Sequence, residues 1–200
     1  MSYRDTMYCF VGEFLCCKTI YTSNIIKQLI SYTIIFLPLV IGITIVAIYG
    51  NRWEEDKYKK LKKPNYNPSS YLFNIVWSML YLLVGIAYSV GLYDSRCIPD
   101  KLSKCGTTVY YRDVKYWIIP CLSLLFNFMY IPVFFEENGL YNGFIIIILS
   151  LFFAILTLVQ FYLQSNFTNI RIITLTFIPY IIWLIFITYL SYDLYMLNSL

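Results

Sequence analysis

Five stretches of the chain are long, apolar and almost free of charged side chains. They cover about residues 28–49, 71–93, 114–135, 139–163 and 170–196. Each is close to the ~20 apolar residues that cross ~30 Å of hydrocarbon at ~1.5 Å per helical residue. The pattern therefore predicts five transmembrane helices.

The order of residues within these stretches favours helices over the strands of a membrane barrel. Barrel strands alternate apolar and polar residues over about 10 positions, whereas "IIIILSLFFAILTLVQF" (145–161) does not alternate. Pro38, Pro120, Pro132 and Pro179 lie inside the stretches, where a packed membrane helix tolerates proline. We predict an all-α integral, multi-pass membrane protein, with residues 28–200 in a single five-helix transmembrane bundle.

Composition agrees with a bilayer as the main partner of the chain. Of its 200 residues, 60% are hydrophobic, 20% are aromatic and 13% are charged. Residues 1–27 are interrupted by charges and are interpreted as an N-terminal extension. The loop at 50–69 contains "KYKKLKK", which is typical of a basic collar attracted to anionic lipid headgroups. Nothing predicts a nucleic-acid partner.

The chain lacks the residues on which most catalytic and metal sites depend. It has no histidine and no Cys-x-x-Cys pair, so we predict no metal site and no cofactor. No acid lies near mid-membrane and no phosphate loop or Ser-His-Asp set occurs, so no catalytic residue is identified. An enzyme is not favoured, although the question stays open. Cys97 and Cys105 leave a disulfide open, and Cys121 is interpreted as a small apolar packing residue.

Uncharged aromatic and amide groups at helical spacing are the candidate binding residues. Residues three or four apart share a helix face, and such sets occur in the second, third and fifth stretches. An aromatic belt with ordinary helix packing explains many membrane tyrosines, but an amide in mid-membrane needs a partner. The candidate ligand-binding residues are Trp77, Tyr81, Asn127, Tyr130, Tyr180, Trp183 and Ile187.

Three segments of the chain carry recognisable motifs, namely "KKPNYNP" followed by "NIVWSMLYLLVGIAY", "LLFNFMYIPVFF" and "IPYIIWLIFITYL". In this order they resemble the first loop with the second helix, the third helix and the fifth helix of the translocator protein family. Members of this family are also called tryptophan-rich sensory proteins or peripheral benzodiazepine receptors. The resemblance implies a pocket among five helices, covered by a lid loop at 50–69. The lid residues that carry over are Lys63, Pro64, Tyr66 and Pro68.

The chain also departs from the family's pattern. Tyr66 stands where the lid usually has tryptophan, and Phe128 and Tyr130 replace two tryptophans of the third helix. Small residues that pack some members into dimers become Ile118 and Leu122, so a homodimer stays open. The family resides in the mitochondrial outer membrane of animals, bacterial outer membranes and plant secretory membranes. The organelle therefore remains unknown from the sequence.

Three functions are compatible with these observations. The favoured one is a membrane binding protein for flat apolar ligands, a porphyrin or other tetrapyrrole or a sterol, acting in their transport or in stress sensing. The second is a light-assisted porphyrin-degrading enzyme, since Trp77 and Trp183 match the tryptophans that bacterial members are thought to need. The third is a lipid-interaction protein that has lost the ligand.

Overall fold

The computed structural model describes residues 20–21, 24–49, 56–92, 108–109, 114–165 and 167–199. Most of the N-terminal extension, Trp53, and both cysteines of the proposed Cys97–Cys105 pair lie outside the described residues.

The described chain is built from five long helices and one helical turn. Two-residue strands β1 (Ile20–Tyr21) and β2 (Thr108–Val109) pair in antiparallel fashion, and a 3-10 turn covers Val114–Tyr116. The helices are α1 (Asn24–Tyr49), α2 (Asp56–Lys59), α3 (Ser70–Gly91), α4 (Ile118–Phe134), α5 (Gly139–Gln164) and α6 (Phe167–Asn198), of which α2 is the single turn. The prediction of an all-α, five-helix bundle is therefore confirmed.

Four of these helices are long and apolar enough to cross a membrane, namely α1, α3, α5 and α6. Helix α4 is shorter, and its 17 residues span ~25 Å at ~1.5 Å per residue, near the lower limit for a crossing helix. Large apolar side chains such as Val40, Leu125 and Phe152 are exposed on the outer faces. The protein is therefore an integral, multi-pass membrane protein.

Two boundaries differ from those drawn on the sequence. Helix α1 begins at Asn24, inside the segment assigned to the N-terminal extension. The lid segment was expected to be a loop, but it contains the single turn α2. Local hydrogen bonds stabilise this turn. It was missed because the hydropathy pattern of a lysine-rich loop carries no sign of such bonds.

The long helices close into a ring in which each packs mainly against two neighbours. The ring runs α1, α3, α6, α5, α4 and back to α1. Buried positions recur every three or four residues, so each helix directs one face inward. Helix α5, for example, buries Ile147, Ser150, Ala154, Thr157 and Phe161.

Two glycines allow α1 to approach α3 closely. A Cβ atom at Gly85 would lie 1.9 Å from the Ile35 carbonyl oxygen, which no side chain tolerates. A Cβ atom at Gly42 would lie 2.2 Å from the ring of Tyr81. Gly42 therefore makes room for one of the candidate binding residues.

The interpretation of Cys121 as an interior packing residue is wrong. Its side chain is exposed on the outer face of α4. Pro120 and Ser123 take the inward positions instead. An apolar stretch leaves the rotation of a helix undetermined, and packing against neighbours decides which residues face the interior.

Candidate functional site

The structure brings four of the predicted binding residues into one aromatic layer. Trp77 stacks on Tyr81, with ring centroids 5.3 Å apart, and meets Trp183 at 6.4 Å and Tyr180 at 6.3 Å. Phe73 adds a fifth ring, 6.0 Å from Trp77 and 6.2 Å from Trp183. We call these five residues the tryptophan layer.

The polar atoms of this layer are mostly without partners. Tyr81 donates a hydrogen bond of 2.8 Å to Asn127 Oδ1. None of the described residues pairs with Trp77 Nε1, Trp183 Nε1 or the Nδ2 atom of the neighbouring Asn127, although all three atoms are buried. All three are N–H groups, which can only donate. The layer therefore presents donors that an acceptor on a ligand would satisfy.

The two remaining predicted residues lie closer to the lid. Tyr130 is buried on α4 and shares a hydrogen bond of 2.8 Å with Ser191 Oγ of α6. Ile187 is fully buried on α6, one turn after Trp183. Ser191 therefore makes a buried polar contact between α4 and α6.

The lid is attached to the C-terminal end of α6. The Lys62 amide donates to Asn198 Oδ1 and Asn198 Nδ2 donates to the Lys62 carbonyl, both at 2.9 Å. Tyr66 donates to Asp193 and stacks on Tyr189 at 5.7 Å. We call Lys62, Tyr66, Asp193 and Asn198 the lid latch.

The Tyr66 side chain lies against the flank of α6. Its ring contacts Phe186 and Tyr189, and 41% of the residue is exposed. Desolvation and the hydrogen bond to Asp193 raise the pKa of Tyr66, so its hydroxyl stays protonated as a donor. Tyr66 thus holds the lid in place, whereas other lid residues face the interior.

A cavity of about 300 Å³ lies beneath the lid. Four lid residues line it. Lys63 and Pro68 are among the predicted lid residues, and Tyr58 and Asn67 are additional ones. Its other walls are the first turn of α3 and apolar residues near the ends of α4 and α6, including Phe73. Because Phe73 also belongs to the tryptophan layer, it is the wall that the cavity and the layer share.

A second cavity, of about 490 Å³, lies beside the first. Tyr58 and Phe134 line both cavities, and their rings meet edge-on at 6.2 Å. Glu136 and Tyr195 lie on its far side. Burial raises the pKa of Tyr58, against a smaller opposing effect of Asn67.

Sequence reasoning missed Phe73, Tyr58, Asn74, Asp193 and Asn198 as parts of this region. Phe73 precedes Trp77 by four residues, so helical spacing was a sufficient signal. Tyr58 was read as part of the basic collar. Asp193 and Asn198 carry no local signal, because their partners lie 127 and 136 residues away along the chain.

Comparison with known proteins places this architecture in context. A model of the TspO/MBR family matches residues 34–197. The chain is 26% identical over 141 residues to Protein CrtK of Rhodobacter capsulatus, covering 70% of this chain and 78% of the relative. It is also 26% identical over 141 residues to Tryptophan-rich protein TspO of Bacillus cereus, covering 70% and 80%. For the protein of that name from Chlorobaculum tepidum, the values are 26% over 171 residues, 82% and 97%.

Proposed function

This chain belongs to the TspO/MBR family, and we propose that it binds flat, largely apolar ring ligands, a tetrapyrrole or a sterol, inside its bundle. The proposed binding residues are those of the tryptophan layer with Asn127, Tyr130 and Ile187, beneath the lid of residues 50–69. Binding serves a sensory or transport role in the membrane, in line with a relative named tryptophan-rich sensory protein.

The observation that carries this proposal is the set of unpaired donors in the tryptophan layer. Leaving a buried polar group without a partner costs ~1–3 kcal/mol, so native proteins rarely do so. Here two indole N–H groups and an amide N–H share one aromatic interior. A flat ligand with acceptor atoms would bury its faces on the rings and pair with these donors.

The test is a titration of the purified protein in detergent with protoporphyrin, haem and cholesterol, read by quenching of tryptophan fluorescence. We expect saturable binding of at least one ring ligand at micromolar concentration. If none of the three binds, the chain is better explained as a lipid-interaction protein that has lost the ligand.

Light-assisted breakdown of a bound porphyrin is the second candidate. The contact between Trp77 and Trp183, at 6.4 Å, places two oxidisable indoles side by side in the proposed site. A spectrum that changes under illumination in air, and does not change after replacement of either tryptophan, would favour this activity over binding alone.

A further inference from the structure

The second cavity, of about 490 Å³, is lined by aromatic rings from four parts of the chain. Its volume lies within the ~300–1,000 Å³ of small-molecule sites. The aromatic lining residues are Tyr58 of the lid, Phe134 and Phe135 at the end of α4, Tyr141 in the first turn of α5 and Tyr195 near the end of α6. None of the five residues of the tryptophan layer belongs to the described lining, so this cavity is separate from the proposed ring-ligand site.

The rings of this cavity meet at steep angles. Tyr58 lies 6.2 Å from Phe134 and 6.3 Å from Phe135, at 65° in both pairs. Phe134 and Phe135 meet at 5.3 Å and 89°, and Tyr141 and Tyr195 meet at 5.5 Å and 54°. Rings in such contacts form the walls of a box, whereas stacked rings would cover each other's faces. The face of an aromatic ring carries negative potential and attracts a cation.

One ring of this lining already contacts a cation from the other side of the shared wall. The Nζ atom of Lys63 lies 3.9 Å from the centroid of the Tyr58 ring. Lys63 lines the first cavity and does not belong to the lining of the second. The protein thus makes a cation–π contact at this end of the bundle, and the rings of the second cavity offer the same contact to a ligand.

The charges of the lining favour a cation as well. Glu136, in the turn between α4 and α5, is the only charged residue among the described residues that line the cavity. The ends of α4 and α6 reach the lining at Phe135 and Asn198, and a helix end carries about half a negative charge. The start of α5 brings about half a positive charge, which offsets only one of these ends. The lining as a whole is therefore negative.

The position of the cavity along the bundle corresponds to the level of lipid headgroups. Its walls are the lid, the turn between α4 and α5 and the end of α6, which lie at one end of the apolar helices. Tyr141 is half-exposed there, as is typical of tyrosines at a membrane–water interface. A ligand can therefore reach the cavity from the water or from the edge of the bilayer.

We propose that the second cavity binds a quaternary ammonium group, held by the faces of its aromatic rings and by the carboxylate of Glu136. Binding of such groups by several aromatic rings is a recurrent use of cation–π contacts. Two sources share this chemistry, namely the choline headgroup of a membrane phospholipid and a soluble quaternary amine. The proposal is independent of the proposed function, because the two sites use different residues apart from the shared wall.

The test is native mass spectrometry of the purified protein in a neutral detergent, titrated with short-chain phosphatidylcholine. Phosphatidylglycerol with the same acyl chains is the comparison lipid, because it has the phosphate but no ammonium group. We expect phosphatidylcholine to bind about fivefold more tightly, the scale of a cation–π contact. Choline is then added as a competitor. Displacement of the lipid by choline would extend the site to soluble amines, and its persistence would assign the site to the lipid headgroup.

Two matched pairs of variants locate the effect. Tyr195→Leu should weaken phosphatidylcholine binding about fivefold, because leucine is apolar but has no ring face, and Tyr195→Phe should stay within about twofold of the unaltered protein. Tyr192→Leu is the control, since Tyr192 lies one turn earlier on α6, is exposed and does not line the cavity. Glu136→Gln should weaken binding about threefold at low salt, and less at high salt because this side chain is exposed. Its exposed neighbour Glu137 lies outside the lining, so Glu137→Gln should have no effect.

Three results would overturn the proposal. The first is equal binding of the two phospholipids, and the second is an equal loss in Tyr195→Leu and Tyr192→Leu, since acyl chains on the outer faces of the bundle would then explain the binding. The third is an undiminished preference for phosphatidylcholine in the combined variant Tyr195→Leu, Glu136→Gln. The thermal midpoint of each variant checks that it is folded. The porphyrin titration tests the tryptophan layer separately, so failure of either proposal is distinguishable from failure of the other.

Discussion

The tryptophan layer and the lid latch differ in whether their polar atoms have hydrogen-bond partners. In the latch, the Asn198 amide pairs with both backbone groups of Lys62, and the hydroxyl of Tyr66 pairs with Asp193. In the layer, Trp77 Nε1 and Trp183 Nε1 are buried and have no partner among the described residues, and the same holds for the neighbouring Asn127 Nδ2. The exposed latch thus has its hydrogen bonds, whereas the buried layer lacks some of its own. This is the reverse of what desolvation favours, because an unpaired polar atom costs more free energy when it is buried. The latch is complete by itself, whereas the layer keeps donors that the proposed ligand would satisfy.

Removing an indole of the layer should have the largest effect. Trp77→Ala or Trp183→Ala should weaken tetrapyrrole binding about thirtyfold, because each removes a large buried ring and a donor, the loss typical of a binding hot spot. Absorbance of the porphyrin is the suitable measurement, since these variants lose protein fluorescence. Trp117→Ala is the control, because Trp117 precedes α4 at the end of the bundle away from the lid, and we expect a change within about threefold. An equal loss in all three variants would show that stability, and not a site, was measured.

Replacing one buried polar pair should separate binding from stability. The double variant Tyr81→Phe, Asn127→Leu removes both partners of the 2.8 Å hydrogen bond and keeps their approximate shape. Such a replacement is close to neutral for stability, so the thermal midpoint should change little. Tetrapyrrole binding should weaken about tenfold, because the Asn127 donor is lost. A stable variant with undiminished affinity would exclude Asn127 from the site.

Breaking the lid latch should change the rate of ligand dissociation more than it changes the binding residues. Asn198→Ala removes two hydrogen bonds between α6 and the backbone of Lys62, so the lid should open more often. We expect the ligand to dissociate about fivefold faster, the scale of a net ~1 kcal/mol. Stopped-flow displacement measures this rate. The control Asn142→Ala removes an exposed asparagine at the same end of the bundle and should have no effect.

The Tyr66 contact should weaken at alkaline pH. Because the pKa of Tyr66 is raised in the folded protein, its contribution is complete below the ordinary tyrosine pKa of ~10 and is lost as pH rises through the raised value. Ligand dissociation should therefore be flat between about pH 7 and 9 and rise about threefold at higher pH. Tyr66→Phe should abolish the rise. A rise that persists in Tyr66→Phe would assign it to other lid groups, namely Lys63, whose pKa burial lowers, or Tyr58, whose pKa burial raises.

Iron should have the smallest effect on affinity. The sequence has no histidine, and among its other candidate ligands Cys121 and Met129 are exposed on the outer face of α4. We expect haem and metal-free protoporphyrin to bind within about twofold of each other, because the ring and not the metal carries the interaction. Much tighter binding of haem, with a shifted Soret band, would reveal an axial ligand.

The membrane helices were predictable because their signal is local. About 20 consecutive apolar residues identify a crossing helix without knowledge of its neighbours. Spacing of three or four residues likewise placed Trp77 with Tyr81 and Tyr180 with Trp183 on shared faces. Phe73 precedes Trp77 by four residues, so the same spacing would also have placed it among the candidate binding residues. The rotation of α4 about its axis was wrong at Cys121, which faces outward while Ser123 is buried.

The sequence by itself determined the class of protein, the number of long helices and the aromatic character of the interior, because hydropathy and helical periodicity act over a few turns. Only the tertiary structure decided which donors remain unpaired, which of Lys62 and Lys63 faces the cavity, and where Tyr66 lies. Each of these depends on contacts between distant segments, such as the 136 residues that separate Lys62 from Asn198. The closed ring of helices brings those segments to one end of the bundle, where their contacts form the lid and the cavity beneath it.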